Sequence, residues 1–193
     1  EQNAQGDATN NQTIATNFAG DGVDLIFANA TPSALSAANA TKDIPVVFTS
    51  VTDPVGAELV KDFETPEKNV TGTTDSHPEA IPNTVKLMAD MGYKKIGTVY
   101  NSGEQNSEVQ VKQAEEEAKK LGLTLNKVSV ATSAEVKQAA ESLAGSVDAI
   151  FIVTDNTVVS ALESVTSVAE AEGIPLFVGE LDSVERGGFA AYG

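Results

Sequence analysis

Polar residues gather just beyond the apolar runs of this sequence. They are Asn29 and Thr31; Ser50, Thr52 and Asp53; Asp75; Asn101, Ser102 and Asn106; Thr154, Asp155 and Asn156; and Glu180, Asp182 and Ser183. Nearly all are hydroxyls, amides or carboxylates, which hold a ligand by hydrogen bonds and charge. Where a parallel strand hands over to a helix, free N–H groups and the positive helix end suit a carboxylate or phosphate. The same residue types also cap helices and form turns. The weight therefore rests on all the clusters together, and they are candidates for ligand binding.

The parts for catalysis are missing. His77 is the only histidine and there is no cysteine, so thiolate chemistry and a zinc–thiolate site are excluded, and no metal cluster is expected. His77 precedes Pro78 and reads as a solvent-facing turn residue. No Gly-x-Ser-x-Gly elbow is present. Gly20-x-Gly22 precedes a strand, where a phosphate loop would follow one. A two-cysteine racemase is likewise excluded. The Asn-x-Thr triplets at Asn39 and Asn69 read as chance matches, and 115–120 as a solvated helix face. The net charge of -16 repels nucleic acid and anionic lipid. No apolar run is long enough to span a membrane. The expectation is a protein with no catalytic residue, metal or cofactor, and no nucleic-acid partner.

The elements that position these residues are duplicated. Residues 23–53 and 147–182 each open with Val-Asp-x-Ile-Phe, reach a polar crossing, form a small-residue helix, and then open a second strand at Ile-Pro. Upstream, Ile14-Ala15-Thr16-Asn17-Phe18-Ala19-Gly20 resembles Ala139-Ala140-Glu141-Ser142-Leu143-Ala144-Gly145. Strands are expected at 23–28, 46–50, 70–74, 95–100, 123–130, 147–153, 176–179 and 189–192. Helices are expected at 8–20 behind Asp7, at 32–41, from a capping box at Ser76 to Gly92, from a second box at Ser107 to Leu121, from Ser133 to Ala144, and at 156–172. Strands alternating with helices imply right-handed crossovers and parallel sheets, an α/β class with two Rossmann-like lobes. The lobes are expected at 1–92 and 93–191, with 192–193 starting a return crossing and hinges near 92–94 and Tyr192. The second half carries a strand and helix at 95–121 with no counterpart in the first. A segment of about 30 residues is therefore expected ahead of Glu1, making the chain an interior piece truncated at both ends.

Several stretches carry a family resemblance. They are Asn3-Ala4-Gln5-Gly6-Asp7, Ala38-Asn39-Ala40-Thr41-Lys42-Asp43-Ile44-Pro45-Val46-Val47-Phe48, Val51-Thr52-Asp53-Pro54-Val55-Gly56-Ala57 and Asn69-Val70-Thr71-Gly72-Thr73. Tyr100-Asn101-Ser102, Thr154-Asp155-Asn156-Thr157 and Gly179-Glu180-x-Asp182-Ser183 belong with them. Together they resemble the ABC-transporter substrate-binding proteins typified by the tryptophan/tyrosine-binding lipoproteins. The resemblance implies a type I periplasmic-binding-protein fold, a ligand clamped between the lobes, and delivery to a membrane ABC permease. It further implies an extracytoplasmic location, in the periplasm or lipid-anchored at the outer face of the cell membrane. The ligand class it implies is an amino acid, aromatic (Trp, Tyr or Phe). A full-length protein of this kind is expected to be monomeric.

For such a ligand, hydroxyls and helix-start amides around Thr31, Ser50 and Ser102 are expected to take the carboxylate. Asp155, Glu180 or Asp182 would take the ammonium. Arg186, the only arginine, is a less favoured clamp, and Tyr100 lines the side-chain pocket or the core. Replacing Asp155 by Ala is expected to weaken binding and spare the fold. The alternative function is a ligand-sensing effector domain of the same fold, binding a sugar or nucleoside.

Overall fold

The structure is a computed structural model and describes residues 1–65 and 68–192. The chain divides into two compact units, Glu1–Ser76 and the part from His77 onward. Unit 1 opens with α1 (Ala8–Gly20), whose first turn is capped by Asp7 Oδ1 accepting from the Asn10 N–H at 2.8 Å. Then come β1 (Ile26–Asn29), α2 (Thr31–Ala40), β2 (Val46–Thr49) and β3 (Val70–Gly72). The strands form a parallel sheet in the order β1-β2-β3, with Ile26 opposite Val46 and Val46 opposite Val70. One face is a core in which Ala34 and Ala37 of α2 meet Ile26, Ala28, Val46 and Phe48. Small residues let this helix lie close to the sheet.

Unit 2 contains α3 (Ala80–Asp90), β4 (Lys95–Asn101), α4 (Gln105–Lys120), β5 (Thr124–Val130) and α5 (Val136–Leu143). It continues with β6 (Ala149–Ile152), α6 (Asn156–Val159), α7 (Leu162–Glu172), β7 (Leu176–Val178), α8 (Leu181–Glu185) and β8 (Ala190–Ala191). The sheet is parallel, in the order β5-β4-β6-β7-β8. Every residue of β6 is buried, as expected of a strand covered on both faces. One face packs on α5 and α7 through Val136, Leu143, Leu162 and Val165. The other packs on α3 and α4 through Met88, Val111 and Ala114, with Phe151 and Phe177 between.

The α/β alternation and the parallel sheets follow the sequence expectation; the element ends depart from it. Helix α3 starts at Ala80 without a side-chain cap, so Ser76 caps nothing. Helix α4 starts at Gln105, which puts Ser107 and Gln110 inside it and buried. The helix expected over 156–172 breaks into α6 and α7. At the break, Ser160 Oγ donates to the Thr157 carbonyl at 2.7 Å and Arg186 Nη2 takes the Val159 carbonyl at 2.9 Å. The division between units falls after Ser76, where the sequence placed it at residue 92. The reason is that Ile81, Val85 and Met88 of α3 join a core of unit 2. Of the expected return crossing at 192–193, Gly193 lies outside the described residues.

Candidate functional site

In unit 2 the carboxyl ends of β4 and β6 are tied together by two buried acids. Asp155 has no exposed surface. Its Oδ2 accepts from the Asn101 N–H at 2.6 Å, and its Oδ1 caps α6 by accepting from the Val158 N–H at 2.8 Å. Burial, and then the nearby Glu104 carboxylate, push the Asp155 carboxyl above its ordinary range. Glu104, just ahead of α4, sits across the start of α6. Its Oε1 accepts from the Thr157 N–H at 3.0 Å and the Thr157 hydroxyl at 2.7 Å. Its Oε2 accepts from the Asn156 N–H at 3.1 Å and the Asn156 side-chain amide at 2.6 Å. Gln110 closes the same seam: Oε1 accepts from the Thr154 hydroxyl at 2.8 Å, and Nε2 donates to the Thr154 carbonyl at 3.3 Å.

These bonds assign most of the expected unit 2 residues to scaffolding. Asn101, Asn106, Thr154, Asp155 and Asn156 are brought together, bonded to one another and to Thr157, Gln110 and Glu104. Asp155 is bonded at both oxygens to backbone amides, which ties the ends of β4 and β6 together. Glu180 Oε1 accepts from the buried Ser183 hydroxyl at 2.8 Å. Asp182 and Ser102 are exposed, the latter with its hydroxyl 2.8 Å from that of Ser129. Arg186 is a clamp already closed, with Nε and Nη2 each 2.8 Å from the Glu163 carboxylate. Those hydrogen bonds draw the Glu163 pKa down to about 2. Tyr100 packs against the core shared with α4.

The start of α2 in unit 1 is built differently. Its ten residues have Pro32 at the first turn and no side-chain cap. Thr31 is 1% exposed, and its hydroxyl has no partner among the described residues. Ala30, immediately before it, has φ 70° and ψ 159°, a region that non-glycine residues avoid. Ser50, at the end of the adjacent strand β2, also has positive φ, at 55°. A buried hydroxyl without a partner and a strained backbone each cost about 1–3 kcal/mol. Both fall at an uncapped helix start whose amides point away from the helix. Asn29 is exposed there, while Thr52 and Asp53 lie half-buried further along, and Asp53 Oδ1 closes a turn on the Gly56 N–H at 2.8 Å. Asp75 is exposed at the end of the unit.

A cavity of about 330 Å³ in unit 2 lies between Leu87 and Asp90 of α3 and Phe177, Ala191 and Tyr192. It contains none of the expected site residues. No group of acids and histidine able to hold a metal occurs among the described residues. Nor is any helix among them long and apolar enough to cross a membrane.

The residues Glu104 and Gln110 were missed by sequence reasoning. A glutamate at a helix start reads as solvent-facing, and nothing local marks partners some fifty positions away.

The whole of residues 1–193 matches the family model described as ABC transporter substrate binding protein. The chain belongs to that family. A tyrosine-binding protein of Clostridioides difficile (strain R20291) is 44% identical over 194 residues, which take in all of this chain and 56% of the relative. Among solved structures, the ABC domain from Streptococcus pneumonia in complex with L-Trp is 36% identical with a TM-score of 0.90, covering 97% of this chain and 63% of that one. A conserved domain protein from Vibrio cholerae is 40% identical with a TM-score of 0.92, over 97% and 63%. This family member thus spans less than two thirds of the relatives it matches. Its fold is that of the type I periplasmic-binding proteins.

Proposed function

We propose that the protein is the solute-binding component of an ABC importer, and that it binds a small amino acid with an aromatic side chain. The observation that carries this is the start of α2: an uncapped helix whose buried Thr31 hydroxyl lacks a partner. It has the donors a carboxylate needs and no acid of its own to fill them. Ser50, held at positive φ beside it, adds a hydroxyl. In unit 2, the acceptors left for an ammonium are the exposed Asp182, the half-buried Glu180 and the unpartnered Asn106 Oδ1. The ligands named for the relatives, tyrosine and L-Trp, support an aromatic amino acid. The family is one of substrate-binding proteins, which supports binding without turnover. Delivery to a membrane permease, an extracytoplasmic location in the periplasm or lipid-anchored at the outer face of the cell membrane, and a monomeric full-length protein complete the proposal on family grounds.

A thermal-shift screen of the full natural polypeptide against amino acids, nucleosides and sugars tests the ligand class. Stabilisation by aromatic amino acids is expected; stabilisation by sugars or nucleosides alone would support a sensor domain instead. Replacing Thr31 by Val removes one ligand-facing hydroxyl, so calorimetry with L-Trp or L-Tyr should show affinity weakened about tenfold, near 1.4 kcal/mol. Because that hydroxyl has no partner, the fold should be no less stable. An unchanged affinity would remove α2 from the site.

A further inference from the structure

Two amide oxygens at the start of α4 are left without donors. Asn106 is 2% exposed, and its Oδ1 has no partner among the described residues. Gln105, half-buried beside it, has an Oε1 in the same state. The nitrogen of the Asn106 amide fixes its orientation. Nδ2 lies 2.9 Å from the Thr154 carbonyl oxygen, 3.4 Å from Glu104 Oε2 and 3.4 Å from Ser107 Oγ. A flipped amide would turn its oxygen onto the carbonyl and the carboxylate, so Oδ1 takes the remaining side. A buried acceptor without a donor costs free energy that an N–H from outside recovers.

The charge at this seam is of one sign. Asp155 and Glu104 are both buried, and their partners are backbone amides, hydroxyls and the Asn156 side-chain amide. No salt bridge among the described residues reaches either acid. Buried carboxylates ordinarily stand beside a cation. Glu104 has little room for one in direct contact, because each of its oxygens already accepts two bonds of 2.6–3.1 Å. The Asn106 amide offers an indirect route. With its nitrogen toward the carboxylate and its oxygen away, it is polarised so that Oδ1 becomes a stronger acceptor for a positive donor. A metal ion fits poorly, since no group of acids and histidine able to hold one occurs among the described residues. A primary ammonium carries three donors and one charge, and it suits a pair of amide oxygens.

We infer that Asn106 Oδ1 and Gln105 Oε1 receive the ammonium of the ligand, and that Glu104 supplies its counter-charge through the Asn106 amide. This rests on the amino-acid ligand proposed above and chooses among the acceptors left for it. Asn106 and Gln105 are the contacts. Glu104 is a positioning residue: it holds the amide nitrogen and, through Asn156 and Thr157, the start of α6. A ligand with the same ring and carboxylate but no ammonium gains nothing from the three.

Calorimetry on the full natural polypeptide with L-Tyr and with 3-(4-hydroxyphenyl)propionate, which lacks only the ammonium, isolates this contact. L-Tyr should bind about 100-fold more tightly than the analogue. That ratio should fall at least about tenfold in Asn106→Ala and in Glu104→Gln. A merely structural loss would weaken both ligands alike and leave the ratio as it was. Gln105→Met keeps the test open should those variants not fold, because the oxygen it removes bonds nothing in the protein; its ratio should fall at least about threefold. Asp182→Asn should keep the ratio of the natural protein. A ratio unchanged in the α4 variants, or one that collapses in Asp182→Asn instead, would overturn the inference while L-Tyr binding left the proposed function standing. Failure of the natural protein to bind any aromatic amino acid would overturn both.

Discussion

Replacing Asp155 by Ala separates scaffold from ligand contact. Its carboxylate makes two bonds to backbone amides, at 2.6 Å to Asn101 and 2.8 Å to Val158, from a side chain with no exposed surface. Losing the cap on α6 costs about 1 kcal/mol. Leaving the Asn101 N–H without its acceptor costs a further ~1–3 kcal/mol. Against this, the substitution removes a carboxylate whose charged form is disfavoured by burial and by Glu104. The net loss should be about 2 kcal/mol, or roughly 10 °C in the melting temperature of a unit this size. Urea unfolding followed by tyrosine emission reads unit 2 alone, because Tyr93, Tyr100 and Tyr192 are the only tyrosines and tryptophan is absent. The pH dependence has a definite sign. The folded-state pKa is raised, so the folded protein holds this proton more tightly, and the group's contribution to stability falls as pH rises from its ordinary value through the raised one. The variant should lose that component. A stability change under about 0.5 kcal/mol would refute the scaffold role. If it came with a tenfold loss of affinity for L-Trp or L-Tyr, Asp155 would belong to the ligand site after all.

Two further outcomes are expected. A Cβ on Gly72 would overlap the carbonyl oxygen and ring of Phe48 on the neighbouring strand, so Gly72→Ala should destabilise unit 1 by about 2–3 kcal/mol, measured as a lower urea midpoint by circular dichroism. Glu163 has a folded-state pKa lowered to about 2 by Arg186, so its contribution is present above pH 4.5 and is lost as pH falls toward 2. An NMR titration should show the Glu163 carboxyl back in its ordinary range in Arg186→Ala, with a shallower fall in stability over that interval.

The strands and the duplication were legible in the sequence because continuous apolar runs such as 149–153 have few alternatives to a strand covered on both faces. Helix starts were less so. Ser76 and Ser107 have the spacing of a capping box, yet the first lies outside a helix and the second inside one. The cap tokens are common, and long-range bonds such as Glu104 to Thr157 decide where a helix begins. Nor does sequence say on which sheet a connecting helix packs. The apolar stripe of α3 is plain in Ile81, Val85 and Met88, but its attachment to unit 2 depends on Val111 and Phe151, distant in the chain. At the strand ends, residue types alone could not separate groups left unbonded from groups already bonded within the chain.

The repeat makes that separation intelligible. Aligned from Val23 and Val147, Thr31 and Asp155 occupy the same position, and Ala34 matches Val158. At Asp155 the chain supplies its own carboxylate to the helix start, through the bond to the Val158 N–H. At Thr31 it supplies a hydroxyl that finds no partner, behind a backbone held at φ 70° in Ala30. Both side chains are buried to the same degree, so burial alone does not distinguish the two helix starts. What divides them is whether the helix-start donors are already answered. In unit 2 an internal anion answers them and locks two strand ends together. In unit 1 the same construction is left unanswered, and under the function proposed above a carboxylate from outside would answer it, which an acid at position 31 would repel.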